Sequence, residues 1–295
     1  MNRYLNKLES KKRIEELDKG FIDYHEKQYF FKRCNDDLCY REIIAYEVAN
    51  FLGIPSVFYR IALIPDKGNH NVLGVISEDY KNKDLFYIDG QTILKDYHYG
   101  YLKNWHKNNN YQNNYCYNTI NSIWNSLDYR YRFLDNKKEV VRQLLNDIIE
   151  NIFLFDIFMK NADRHFNNWE VEENLETNEI KLNLLYDNED IFLGDDPKMN
   201  NIIVDSSNRG SDWYDLLREF LKVSDGEYLL IVNSFYNRLT PKTLIGLIEA
   251  TEKRHNIKIP NATKKEIISK YVNHYAKIGV ILKEFNITQR RILIK

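Results

Sequence analysis

Asn161-Ala162-Asp163-Arg164-His165-Phe166-Asn167-Asn168, followed a short way on by Leu185-Tyr186-Asp187-Asn188-Glu189, is the stretch on which the reading of this chain turns. Between the two runs, Trp169 to Glu173 and Ile180 to Tyr186 alternate apolar and polar residues around the turn-forming Asn174 to Asn178, which predicts an antiparallel hairpin. Antiparallel partners keep a constant index sum. A turn centred between Thr177 and either Glu176 or Asn178 therefore sets Asn168 opposite, or nearly opposite, Asp187. Two hard oxygen ligands would then face each other at the mouth of one hairpin, an arrangement suited to Mg²⁺, which is commonly held by one or two protein oxygens together with substrate phosphates and water. Asp163, on the loop before Asn168, comes within reach of the same point. An Asp beside a metal-bound phosphate is what phosphoryl transfer needs to orient an attacking hydroxyl and take up its proton.

Towards the N-terminus, Gln28-Tyr29-Phe30-Phe31-Lys32 reads as a short aromatic strand ending on a lysine. Arg41 to Phe51 reads as a helix, with Ile44, Val48 and Phe51 on one stripe and Gly53 and Pro55 as its stop. Val57 to Ile64 and Val72 to Ser77 are β-rich runs joined by a hairpin connection, Pro65 to Asn69, and Gly20 offers a turn ahead of them all. A lysine closing a strand and Glu42 opening the next helix can pair, aiming the ammonium at α- and β-phosphates, although Glu47 on the same helix is an alternative partner. Lys-strand-helix-Glu, then Asp-x(4)-Asn, hairpin and Asp is, in order, the layout of a protein-kinase-like active site.

Composition narrows the alternatives. The 295 residues contain 42 Lys+Arg against 43 Asp+Glu, a net charge of -1, so the basic footprint of a general nucleic-acid binder is not expected. Only 11 glycines are present, and neither GxxxxGK[ST], GxGxxG nor GxSxG occurs, which sets aside P-loop NTPases, standard Rossmann domains and α/β-hydrolases. Cys34, Cys39 and Cys116 are too few and too unevenly spread for a disulfide framework or thiolate zinc site, so reduced thiols are expected. No signal peptide follows Met1, no apolar stretch is long enough to span a membrane, and a cytoplasmic location is the expectation.

The two runs quoted first resemble the catalytic loop and metal-binding segment of HipA-like serine/threonine kinases, and the Asp-Arg-His-x-x-Asn form is also that of phosphatidylinositol kinases. Tyr29-Phe30-Phe31-Lys32, Glu42 and Phe51-Leu52-Gly53-Ile54-Pro55 are similar to the lysine strand and following helix of the HipA-like group. The resemblance implies an α+β, bilobal, protein-kinase-like fold: a small β-rich N-lobe with one helix over residues 1–77 and a larger, mostly helical C-lobe over 78–295. It implies ATP and Mg²⁺ as cofactors, with Asp163 as base, Asn168 and Asp187 on the metal, Lys32 on phosphate, and His165 supporting the loop or the transferring phosphate. The expected acceptor is a protein Ser or Thr, with an antitoxin-like partner in prospect. The chain resembles short members that lack an extra N-terminal subdomain. Asp18 to Gln28 holds no Ser or Thr to serve as the autophosphorylated residue of the toxin's phosphate loop.

Of the remaining segments, Tyr97 to Tyr117 is crowded with Asn, Tyr and His and reads as a long surface loop or lid. Lys137 to Lys160 is a strongly amphipathic helix. Thr240-Pro241 starts a C-terminal helix, and Thr263-Lys264-Lys265-Glu266 reads as a capping box for another. Ser206, Ser207 and Ser211 lie where an activation segment would be and are candidate phosphate acceptors. The same site chemistry is open to a lipid or small-molecule kinase, and the same fold to a pseudokinase acting as a binding module.

Overall fold

The structure is a computed structural model that describes residues 18–24, 27–65, 71–101, 119–193, 201–204, 212–225 and 227–293. Strands β1 (Lys19–Tyr24), β2 (Lys27–Arg33), β3 (Arg60–Pro65) and β4 (Asn71–Glu78) form an antiparallel sheet in the order β1-β2-β4-β3. Alternation along β2 decides what faces the site. Phe31 is buried against Ile64 on one side, while Phe30 joins the opposite face, which packs through Val75, Ile61 and Tyr59 onto Cys39 and Ile43 of helix α1 (Asp36–Leu52). Gly20, expected at a turn, lies inside β1 opposite Phe31, because the chain stays extended up to Tyr24. Helix α1 begins ahead of the expected Arg41, since Asn35 Oδ1 accepts the Leu38 N–H at 3.0 Å and so caps an earlier turn. It ends, as expected, at Gly53, which takes up a left-handed φ of 85°.

Cys34 and Cys39 are joined in a disulfide, correcting the expectation of free thiols. The cause is local: the two residues flank the Asn35 cap, and the first turn of α1 brings their Cα atoms to 5.8 Å, within the range a disulfide spans. Cys116 lies outside the described residues.

The larger lobe is mainly helical around a small sheet of β5 (Phe86–Asp89), β6 (Glu170–Asn174) and β7 (Glu179–Leu182), in the order β5-β6-β7. Helices α2 (Gly90–Tyr101) and α3 (Ile120–Arg130) pack together beside it. Tyr97 to Tyr101 of the segment expected as a loop therefore belongs to α2, and its remainder, 102–118, lies outside the described residues. The long amphipathic helix is real but interrupted. It runs as α4 (Lys137–Ile148), one π turn (Ile149–Phe153) and α5 (Leu154–Met159), so that Leu144, Ile148, Ile152 and every residue of α5 are buried. A π turn adds a residue to the helical repeat and so rotates the buried face.

Helices α6 (Trp213–Val223), α7 (Leu229–Arg238), α8 (Pro241–His255) and α9 (Asn261–Leu293) complete the lobe. Thr240 Oγ1 caps α8 through the Thr243 N–H at 3.1 Å, as the Thr-Pro pair predicts. The capping box at Thr263 is not formed. Helix α9 already starts at Asn261, after Pro260, which places Thr263 inside the first turn and frees Glu266 to pair with Arg41 at 2.9 Å and Lys270 at 2.8 Å. His274 of α9 hydrogen-bonds the Ile157 carbonyl of α5 through Nε2 at 2.8 Å, and burial lowers its pKa to about 3, so it stays neutral.

The fold is thus α+β and bilobal, with a sheet-and-helix small lobe and a helical large lobe. One glycine is fixed by the first of these. A Cβ on Gly74 of β4 would lie 2.1 Å from Ile64 Cδ1 and 2.5 Å from the Lys32 carbonyl oxygen. Gly74→Ala is expected to destabilise the protein by about 1–3 kcal/mol, the usual cost of overpacking, and to disturb the strand that carries Lys32. Denaturant unfolding measures the first effect.

Candidate active site

Helix α5 closes on Lys160, whose left-handed φ of 49° turns the chain into Asn161 to Asn168. That loop is organised from within. His165 Nδ1 accepts the Asn167 N–H at 3.2 Å, capping the short 3₁₀ turn Phe166–Asn168, and Asn168 Nδ2 donates to the Asp163 carbonyl at 2.8 Å. His165 is thereby placed as a loop support. Asp163 is half-buried on the same loop, and Asn168 is buried.

Arg164, for which the sequence suggested no role, ties this loop to the second run. Its guanidinium is fully buried. Nε donates to Asp156 Oδ2 at 3.1 Å, Nη1 to the Asn168 carbonyl at 2.9 Å and the Tyr186 carbonyl at 2.7 Å, and Nη2 to Asn188 Oδ1. Asp156 also accepts from Asn161 Nδ2 at 2.9 Å. A planar guanidinium offers five N–H donors in fixed directions, and here they are spread over α5, the loop and the 185–189 segment. The signal available in the sequence was Asp156, an acid within the otherwise apolar run Leu154-Phe155-Asp156-Ile157-Phe158-Met159.

The second run is anchored from both lobes. Leu185 bridges to Ser56 in parallel: the Val57 N–H donates to the Leu185 carbonyl at 2.9 Å, and the Leu185 N–H to the Pro55 carbonyl at 2.8 Å. Tyr186 donates its hydroxyl to the Asn167 carbonyl at 2.6 Å. Asp187 follows with a left-handed φ of 57°, an uncommon conformation for a residue other than glycine. The hairpin register pairs Val171 with Leu182. Continued, it sets Asn168 against Leu185, two residues short of Asp187, so the ladder itself does not pair Asn168 with Asp187.

Lys32 meets this turn. Its ammonium is 2.5 Å from Asp187 Oδ1 and 2.8 Å from Glu189 Oε2. Burial opposes the charge, but the two carboxylates outweigh it, and the lysine's pKa lies above its ordinary value. Asp187 is shifted downwards: burial would raise it, and Lys32 overcomes that. The expected Lys32–Glu42 ion pair is not formed. Glu42 is buried on α1, and both its oxygens accept the Asn188 N–H, at 3.0 and 2.9 Å. Burial, then Asp187, pushes its carboxyl up to about 8. Glu47, the alternative partner, pairs with Arg254 at 2.9 Å, away from the lysine. One carboxylate oxygen each from Glu42, Asp187 and Glu189 lies within 4.8 Å of the others, a donor set that fits a hard divalent cation.

Breaking a buried ion pair costs about 3–5 kcal/mol because the remaining charge is stranded. Arg164→Met is therefore expected to lower the unfolding midpoint sharply, and Arg164→Lys, which keeps the charge but not the fork, to recover only part; thermal melts of both variants measure it. Glu42 supplies a pH signature. Its folded carboxyl holds a proton to about 8 while the unfolded one releases it near 4.5, so the folded state binds more protons between those values and stability falls as pH rises. Glu42→Gln is expected to flatten that fall, gaining on the unmodified protein above pH 8 and converging with it below about pH 5 in unfolding titrations.

No protein-family model matches the sequence, and no curated protein matches it. Solved structures do. The Helicobacter pylori proinflammatory kinase CtkA superposes with a TM-score of 0.61 at 16% identity, over 90% of this chain and 93% of that one. The Shewanella oneidensis MR-1 toxin–antitoxin system of HipA, HipB and its operator DNA gives a TM-score of 0.55 at 13% identity, over 89% of this chain and 63% of that one. At such identities the likeness is one of fold, and the fold is that of the HipA-like kinases.

Proposed function

We propose that this chain is a phosphotransferase using ATP and Mg²⁺, and that it is a HipA-like protein serine/threonine kinase. The observation that carries the reading is the convergence of Lys32, Asp187 and Glu189 at one turn, with Arg164 binding the Asp163 loop to that same turn. The carboxylates around Asp187 suit Mg²⁺, and Asp187 is assigned to hold it, with Asn168 assigned beside it from the sequence resemblance alone. When bound, Mg²⁺ supplies neutralisation of phosphate charge. Lys32 is assigned to the phosphates of ATP, and Glu42 fixes the turn by accepting the Asn188 N–H. Asp163 is assigned to orient the acceptor hydroxyl and accept its proton, while His165 keeps the loop in shape. Ser206, Ser207 and Ser211, candidate acceptors within the chain, lie outside the described residues.

The acceptor is proposed to be a Ser or Thr of another protein. An antitoxin-like partner is proposed by extension from the Shewanella HipA structure, which contains HipB and operator DNA. No described helix is long and apolar enough to cross a membrane. A cytoplasmic setting belongs to the same proposal.

Asp163→Ala is expected to abolish transfer of labelled phosphate from ATP at an unchanged melting temperature, and Asp187→Asn to remove Mg²⁺-dependent nucleotide binding. Incubation of the protein with labelled ATP and lysate, followed by separation of protein from solvent-extracted material, locates the acceptor. Label in the extracted fraction alone would replace the protein acceptor by a lipid or metabolite, and Mg²⁺ and nucleotide without any thermal shift would overturn the enzyme.

A further inference from the structure

The side chains around Asp187 divide between two directions. Asn188 turns to Arg164, and its backbone N–H is taken by Glu42. Asp187 and Glu189, one residue to either side, both turn to Lys32. Glu42 accepts the Asn188 N–H with both oxygens and makes no ion pair with the lysine. Lys32 therefore has two carboxylate partners, of which Asp187 is the one assigned above to a metal.

We propose that Glu189 is the positioning residue for Lys32, doing for the lysine what its spacing in the sequence had suggested for Glu42. The inference rests on the proposed phosphotransfer site and adds a residue to it. A lysine side chain is a flexible stem carrying a point charge, and it loses considerable rotamer freedom when fixed. Held by Asp187 alone, it would have no fixed partner once that carboxylate served a cation. Glu189 contacts it at 2.8 Å from the same rigid turn, with the lysine and glutamate side chains only 17% and 22% exposed, so the pair is shielded more than a surface salt bridge. The turn is rigid because Arg164 and Glu42 hold the residue between the two acids.

Nucleotide binding by calorimetry and steady-state kinetics on the unmodified protein, Glu189→Gln and Glu189→Asp tests the proposal. Glu189→Gln is expected to weaken Mg·ATP binding and raise KM for ATP about fivefold or more, with kcat changed far less; Glu189→Asp is expected to regain most of the loss. ATP affinity in Glu189→Gln equal to or tighter than that of the unmodified protein overturns the role of Glu189 and leaves the phosphotransfer reading standing. An equal loss in Glu189→Asp and Glu189→Gln also overturns it. Failure of the unmodified protein itself to bind Mg·ATP overturns both.

Discussion

The ion pair between Arg164 and Asp156 is the interaction on which the rest of the site depends. Two opposite charges with almost no solvent exposure are tolerated only when their remaining donors and acceptors are satisfied. Here that requirement is met by the backbone of the site itself. The guanidinium nitrogens left over from Asp156 take the carbonyls of Asn168 and Tyr186, and the side chain of Asn188. The burial cost of one charge pair is thus converted into a fixed geometry for two segments distant in sequence. Loss of Arg164 would leave an unpaired charge and unpaired carbonyls together, and loss of Asp156 a stranded guanidinium.

A second buried cation performs the corresponding task between the lobes. Arg41 on α1 reaches Asp37 on its own helix at 2.6 Å, the Ile191 carbonyl at 2.7 Å and Glu266 of α9 at 2.9 Å. It sits immediately before Glu42, which accepts the Asn188 N–H. The segment after Asp187 is consequently held on one side by α5 through Arg164 and on the other by α1 through Arg41 and Glu42. Lys32 is the one site residue that comes from the sheet. Its strand is packed onto α1 by Ile43, Val75 and Tyr59, so helix, strand and turn share one frame.

The sheet, α1 and the hairpin were legible in the sequence because each is set by local periodicity and turn chemistry. Phe30 and Phe31 alternate across a pleat whatever lies beyond it, and Gly53 ends a helix by its own conformational freedom. Site residues were legible as a set, by order and spacing, but not by partner. Choosing between Glu42 and Glu189 for Lys32 needs the left-handed turn at Asp187, a tertiary outcome that no local pattern carries. Arg164 was passed over for a related reason: its partner lies in a helix read as continuous amphipathic scaffold, whose π turn changes which face is buried. The disulfide and the start of α9 were missed where a single cap, Asn35 or the residues after Pro260, moved a helix boundary by a few positions.

The scarcity of glycine acquires a definite meaning from the charges at the turn. A glycine-rich loop cradles phosphates with backbone N–H groups and adds no formal charge. Here the groups that face one another are one ammonium and the carboxylates of Asp187 and Glu189, with Glu42 kept largely protonated at neutral pH by burial. That local sum is negative, and Lys32 is committed to neutralising it. Under the proposed function, a polyphosphate approaching without a divalent cation would meet repulsion from the carboxylates and would compete with them for the lysine. With a cation, Asp187 would turn from the lysine's partner into a ligand, and the ammonium, still held by Glu189, would be left to face the phosphates. Under that proposal, a site built on side-chain carboxylates in place of backbone amides would be coupled to a divalent cation by charge balance.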